Sequence, residues 1–218
     1  MKNKNKSRRS FLKWGFAGAV SGVVGNSTQA RSVSTNLLTP AEIEGPFYPI
    51  TAQKDKDFDL TKIDGKEGSA KGKAIVIEGR VIGVNGDPLE DVMVDLWQAN
   101  AAGRYRHPHD SNSAPLDENF QGWAIVPSGS DGSFRFKTVY PGAYPAANGW
   151  TRPPHIHFRF IKSGYAELIT QMYFPNHKLN DRDVLLQRKS KEEQKLMTAS
   201  LVGKNPETYR YTVVLMEA

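Results

Sequence analysis

The sequence contains no cysteine. This excludes disulfides, thiolate metal sites, cysteine nucleophiles and a lipid-modified cysteine anchor. It leaves the redox compartment open, because a disulfide-free protein can fold in any of them. Long apolar runs are also lacking. The apolar stretch Trp14 to Gly25 falls short of the ~20 residues that a membrane-spanning helix needs. Acids are missing from the first thirty positions, which carry Lys2, Lys4, Lys6, Arg8, Arg9 and Lys13. Six of the 29 basic residues lie there, and the remaining 23 balance the 23 acids. The net charge of +6 therefore belongs to the N-terminal segment and gives no basis for a nucleic-acid-binding surface. No nucleotide-binding loop, internal repeat or low-complexity tract is visible.

What is present is enough for one domain with a core: 218 residues, 39% of them hydrophobic. Nineteen Gly and thirteen Pro supply many turns, which favours an all-β chain. Residues 7 to 13, Ser-Arg-Arg-Ser-Phe-Leu-Lys, resemble the bacterial twin-arginine export signal, and Thr28-Gln-Ala30 offers a small-residue cleavage site. The expectation is a signal peptide over 1–30 that engages the twin-arginine translocase, with the protein periplasmic or secreted. The plainer alternative is a basic tail beside a membrane anchor. The twin-arginine route carries folded proteins. A metal could thus be loaded before export, away from competing zinc and copper.

Residues 31–72 read as an irregular N-terminal arm, broken by Gly65, Gly68 and Gly72. Its apolar residues Ile43, Phe47, Tyr48 and Ile50 need a surface to cover them. That surface is the core or a second subunit, and the second choice makes the protein a homo-oligomer. From Ala74 the pattern turns to strands: 74–82, 92–97, 133–139, 155–161, 168–174 and 209–216. Asn85-Gly86 and Asp131-Gly132 mark turns between them. Asp183 to Val202, rich in Lys, Glu, Gln and Leu and followed by Gly203, reads as the one helix. The predicted fold is all-β: an antiparallel β-sandwich over 73–218, with the N-terminal arm and one short C-terminal helix.

Alternate side chains of a strand share a face, so His155 and His157 point the same way while Ile156, Phe158 and Phe160 can fill the core. Such a pair can ligate a metal, and equally can be solvated or hydrogen-bonded. Tyr105 lies among basic residues, Arg104, Arg106 and His107. Tyr144 lies in a rigid Pro-Gly-Ala-Tyr-Pro loop feeding the histidine strand. Taken singly, each tyrosine also suits a core or rim position. A phenol binds as phenolate only beside a strong cation, such as ferric iron.

Several motifs in order now resemble one family. They are Thr39-Pro40, Glu44-Gly-Pro-Phe-Tyr48, Ile77-Glu-Gly-Arg-Val81, Gly86, Leu89, Val94-Asp-Leu96 and Trp97-Gln-Ala-Asn-Ala-Ala-Gly-Arg-Tyr105. Further on come Pro141-Gly-Ala-Tyr144, Arg152-Pro-Pro-His-Ile-His157 and Thr170-Gln-Met-Tyr-Phe174. The chain resembles the intradiol ring-cleavage dioxygenases, the group that contains protocatechuate 3,4-dioxygenase and the catechol 1,2-dioxygenases.

The resemblance implies a mononuclear non-haem Fe(III) held by Tyr105, Tyr144, His155 and His157. Tyr144 would be the axial ligand that leaves when substrate binds, with Tyr105 and His155 equatorial and His157 axial. It also implies that Arg152 stabilises negative charge on the substrate, that Gln171 stands beside the ligands, and that Gly45, Pro46, Phe47 and Tyr48 line the substrate pocket. The implied reaction uses a small aromatic diol and O2 and no reductant or organic cofactor. The diol loses both protons, and its ring opens between the hydroxylated carbons to a muconate-type diacid. Members of the family often carry a bulky aromatic two residues after the second Tyr, where this chain has Ala146. If the substrate bears a carboxylate, Arg104, Arg106, His107 or the arm around Tyr48 are its candidate receivers. Two other readings compete. One is a non-enzymatic β-sandwich carrier or accessory module, since fold alone does not fix function. The other is a zinc or copper hydrolase built on the two histidines, which lacks a recognisable third ligand.

Overall fold

The computed structural model describes residues 36–218 except Lys54 and Asn148. The expected signal peptide at 1–30 lies outside the described residues. The strands are β1 (Ala74–Gly83), β2 (Met93–Trp97), β3 (Trp123–Pro127), β4 (Ser133–Val139), β5 (Tyr144–Ala147), β6 (Trp150–Arg152), β7 (His155–Ile161), β8 (Leu168–Tyr173), β9 (Ser200–Lys204) and β10 (Glu207–Leu215). They form one sheet in the order β4-β1-β10-β9, a second in the order β3-β2-β7-β8, and a small β5-β6 hairpin.

Strand parity builds the core. Ile75 and Ile77 of β1, Phe134 and Phe136 of β4, and Tyr211, Val213 and Leu215 of β10 are buried from the first sheet. Val94 and Leu96 of β2 and Ile156, Phe158 and Phe160 of β7 meet them from the second. Phe134 lies 5.9 Å from Phe158 and 6.0 Å from Phe160, ring centre to ring centre, which closes the gap between the sheets. The fold is the all-β sandwich read from the sequence, with one departure from antiparallel order. β1 and β10 pair in parallel, Ile75 opposite Glu207 through Gly83 opposite Leu215. The first and last long strands thus lie side by side, and no local turn requires them to be antiparallel.

The helix is much shorter than the 183–202 expected. The α-helix α1 covers only Lys191–Leu196, capped at Ser190 by a reciprocal capping box with Glu193. Upstream lie two single 3-10 turns, Asn180–Arg182 and Leu186–Arg188. Downstream, Met197 and Ala199 pair with the backbone of Tyr173, and Ser200–Lys204 is β9, with Gly203 inside that strand rather than capping a helix. Asp183 turns inward to bond Arg152 instead of lying on a helix face. Tertiary pairing outweighs the helix propensity of the segment.

The arm packs on its own domain. Thr39 exchanges hydrogen bonds with Val214 of β10. Thr170 of β8 donates to the Pro40 carbonyl, and Glu42 donates its amide to Ile169. Farther along, the Lys56 carbonyl accepts from Ile125 of β3, and the Phe58 carbonyl accepts from Lys137 of β4. Gly45 to Tyr48, between these anchors, crosses the outer face of the second sheet.

Candidate metal centre

The parity that buries Ile156 and Phe158 sends His155 and His157 to the opposite face of β7. Register then fixes their neighbours. Trp97 of β2 stands opposite His157, and Gln171 and Tyr173 of β8 stand opposite His157 and His155. The Trp97 ring stacks on the His157 imidazole, 4.9 Å between centres and 14° between planes. Three segments cover this face: the arm, the loop from Tyr105 to Ser113, and the β5-β6 hairpin.

The four candidate ligands converge here. His155 Nε2 lies 3.2 Å from His157 Nε2, and His157 Nε2 lies 3.1 Å from the Tyr105 hydroxyl. The Tyr144 ring stands 5.5 Å from the Tyr105 ring and 5.6 Å from the His155 ring. All four are at least nine-tenths buried. His155 Nδ1 donates to the Pro153 carbonyl at 2.7 Å, which leaves its Nε2 as a lone pair facing the other donors. His157 Nδ1 is enclosed with no hydrogen-bond partner. The backbone holds the first tyrosine in place, its amide donating to Asp110 Oδ2 at 2.7 Å.

The electrostatics match a cation site. Burial first, then the Arg152 charge, holds both imidazoles well below their usual range, so both are neutral at pH 7. Burial pushes the Tyr105 phenol well up, with Tyr144 adding to it. Burial also raises Tyr144, and Arg152 offsets part of that rise. Two neutral imidazoles and two phenols packed around one point are poor company for one another and good company for a hard, highly charged metal. The donor set therefore fits ferric iron. Among the described residues no three His, Cys, Asp or Glu side chains converge, so a zinc or copper site on the two histidines lacks its third ligand.

Arg152 sits opposite Tyr144 in the β5-β6 hairpin. Its Nε bonds Asp183 at 2.8 Å, and its Nη2 bonds Gln171 Oε1 at 2.7 Å and the Tyr173 hydroxyl at 2.9 Å. Gln171 reaches back with Nε2 to the Ile43 carbonyl, tying the arm to the arginine.

A cavity of about 460 Å³ opens onto the site, walled by Gly45, Pro46 and Phe47 of the arm, by Asp110 to Ser113, and by Tyr144, Trp150, Arg152, His157 and Leu185. A larger groove of about 770 Å³, around Glu78, Arg80, Arg135 and Arg210, holds none of the candidate ligands. Gly45 takes a positive φ of 78°, and a Cβ there would approach His157 Cε1 at 3.4 Å, so the arm can pass directly over the imidazole. The Phe47 ring lies 4.9 Å from Tyr105.

Tyr48 is different from its three neighbours. It does not line the cavity. Its hydroxyl donates to Asp95 Oδ2 at 2.7 Å, and Trp123 Nε1 fills the other oxygen at 2.8 Å. Burial, then Asp95, pushes the Tyr48 phenol up to about 12. Tyr48 is a clasp that fastens the arm to β2, and of the four arm residues expected at the substrate pocket it is the one outside the cavity lining. The chain turns at Pro46-Phe47, after which Phe47 faces the cavity and Tyr48 faces the sheet.

Sequence reasoning missed Asp183, Tyr173, Trp97, Asp95 and Asp110. Parity and register could have found Trp97 and Tyr173, which share a face with the histidines and Gln171. Asp183 carried no local signal, because its role depends on a fold-level meeting with Arg152.

A family model described as Dioxygenase matches residues 43–217. The chain is 45% identical over 146 residues to the protocatechuate 3,4-dioxygenase beta chain of Burkholderia cepacia, covering 65% of this chain and 62% of that one. It is 34% identical over 169 residues to a chlorocatechol 1,2-dioxygenase of Cupriavidus pinatubonensis, covering 68% of this chain and 60% of that one. The chain thus spans less than two thirds of the length of these curated relatives. Among solved structures, it is 27% identical to the dioxygenase domain of a dioxygenase carbohydrate-binding protein fusion from Streptomyces sp. SirexAA-E, with a TM-score of 0.62, covering 83% of this chain and 99% of that one. With the family match running from the arm to the last strand over this site, the chain belongs to the intradiol dioxygenase family.

Proposed function

We propose that this chain is an intradiol dioxygenase that opens a catechol-type ring between its two hydroxylated carbons at a non-haem Fe(III) centre. Tyr105, Tyr144, His155 and His157 would hold the iron. The supporting observation is the convergence of two neutral imidazoles and two phenols at the floor of a cavity sized for a small ring. Ferric iron supplies a Lewis acid that lowers the pKa of phenols and of a bound diol.

The chain's own residues do the rest. His155 is oriented by its bond to the Pro153 carbonyl, and His157 by its stack on Trp97. Tyr144 stands on the cavity wall, where, as the phenolate a bound ferric ion would favour, it would be placed to accept one proton from the incoming diol. Arg152, held on three sides by Asp183, Gln171 and Tyr173, faces the charge that develops on the ring oxygens. Both atoms of O2 end in the carboxyl groups of the muconate-type product, so no other oxidant or reductant is consumed.

Oxygen uptake by the iron-loaded chain tests this. One O2 should disappear per catechol, with a diacid product. Tyr144→Phe should keep iron bound, shift the visible band and slow turnover by about 10²–10⁴-fold. Unchanged colour and kinetics in that variant would remove Tyr144 from the mechanism.

The same proposal includes export of the folded chain by the twin-arginine translocase to the periplasm or beyond, resting on Ser7 to Lys13. It also includes a homo-oligomer. Leu37, Ile43, Ile50 and Phe58 of the arm each leave more than half of their surface exposed, although the arm is docked on its own domain. Light scattering of the protein recovered from a periplasmic extract checks both. Retention in the cytoplasm contradicts the export, and a monomeric mass contradicts the assembly.

A further inference from the structure

We infer that the substrate is a catechol without a carboxylate, an uncharged diol ring, and that 3,4-dihydroxybenzoate is a poor ligand. This rests on the dioxygenase reading above and narrows it to a substrate class.

The basic residues that flank Tyr105 in sequence are absent from the cavity lining. Arg104 Nη1 donates to the Ala114 carbonyl at 2.8 Å. Arg106 is spent on Glu118 at 3.1 Å and the Asp117 carbonyl at 2.7 Å. His107 packs its ring 5.7 Å from Phe47, outside the cavity lining. Tyr48 gives its hydroxyl to Asp95. None of these four lines the cavity.

Among the cavity's described lining residues the one cation is Arg152. Its charge is matched by Asp183, which is fully buried, and by the negative charge expected on the diol oxygens. Among the described lining residues a second anion on the ring would find no counter-charge. It would instead face Asp110, an acid on the cavity wall whose oxygens already accept from the amides of Tyr105 and Asn112. Besides the candidate ligands Tyr144 and His157, the other polar wall groups are uncharged donors and acceptors, the hydroxyls of Ser111 and Ser113, the Asn112 amide and the Trp150 indole N–H. A carboxylate moved from water into such a wall loses hydration and gains at most neutral hydrogen bonds in place of a counter-charge. A ring bearing hydrogen, hydroxyl or an apolar substituent loses little. The chain's higher identity to a protocatechuate 3,4-dioxygenase subunit than to the chlorocatechol enzyme does not supply the missing cation.

Titration calorimetry on the iron-loaded full chain under nitrogen, where no turnover occurs, decides the matter. The probes are catechol, hydroxyquinol and 3,4-dihydroxybenzoate. The carboxylate should bind on the order of a hundredfold more weakly than catechol. Ser113→Arg, which adds a cation at an exposed wall position, should narrow that gap by about tenfold. Equal or tighter binding of 3,4-dihydroxybenzoate by the unaltered chain overturns the inference and leaves the dioxygenase reading intact. A gap unchanged by Ser113→Arg overturns the charge argument. Failure of all three probes to bind overturns the dioxygenase reading, and this inference with it.

Discussion

His157→Ala is expected to give a folded chain that no longer retains iron and no longer consumes O2. The imidazole lies at the centre of the cluster, 3.2 Å from His155 and 3.1 Å from Tyr105. Removing it leaves three donors and opens the space between Trp97 and the phenols. The fold should survive, because the core is built on the other face of β7 by Ile156, Phe158 and Phe160. Metal analysis beside circular dichroism measures both halves of the expectation. A native spectrum with a full iron complement would mean that His157 is not a ligand.

Asp183→Asn should have the largest effect on stability. Asp183 is fully buried and pairs with an arginine whose side chain is only 5% exposed. It also accepts from the Tyr173 hydroxyl and from the Leu186 amide. Neutralising one member of a buried pair strands the other charge in a low-dielectric interior. The expected cost is about 3–5 kcal/mol. Urea unfolding reads it directly, as a lower midpoint with an unchanged slope. Replacing both partners with apolar residues, Arg152→Met with Asp183→Leu, should cost less than the single change. That double variant should also lose activity, since Arg152 lines the cavity in which the proposed substrate would sit. If Asp183→Asn unfolds at the wild-type midpoint, the ion pair is not what holds the loop before α1 to the sheet.

The part of this site readable from sequence is the part that strands write locally. Period-two alternation put His155 and His157 on one face and Ile156 and Phe158 on the other, and the same rule separates Asp95 and Trp97 from Val94 and Leu96. The motifs around Tyr105 and Tyr144 identified the two segments that bring phenols to that face, the second of which the structure forms as the start of β5 rather than a loop. Local pattern could not foresee β1 lying parallel to β10, because their neighbourhood is set by the whole chain's path. It misjudged 183–202, where a helix-forming composition yields to backbone pairing of Met197 and Ala199 with Tyr173. The family resemblance placed Tyr48 at the pocket with its three neighbours, since a shared motif does not reveal which way an irregular arm turns each side chain. Asp95, two strands of sequence away, is what turns it.

The measurement that bears most directly on the proposed metal centre is the metal content and visible spectrum of the purified full chain in air. Ferric iron held by Tyr105, Tyr144, His155 and His157 predicts one iron per chain and a burgundy colour from tyrosinate-to-iron charge transfer, with the band shifting when catechol is added. A folded, colourless protein that takes up no iron would contradict it.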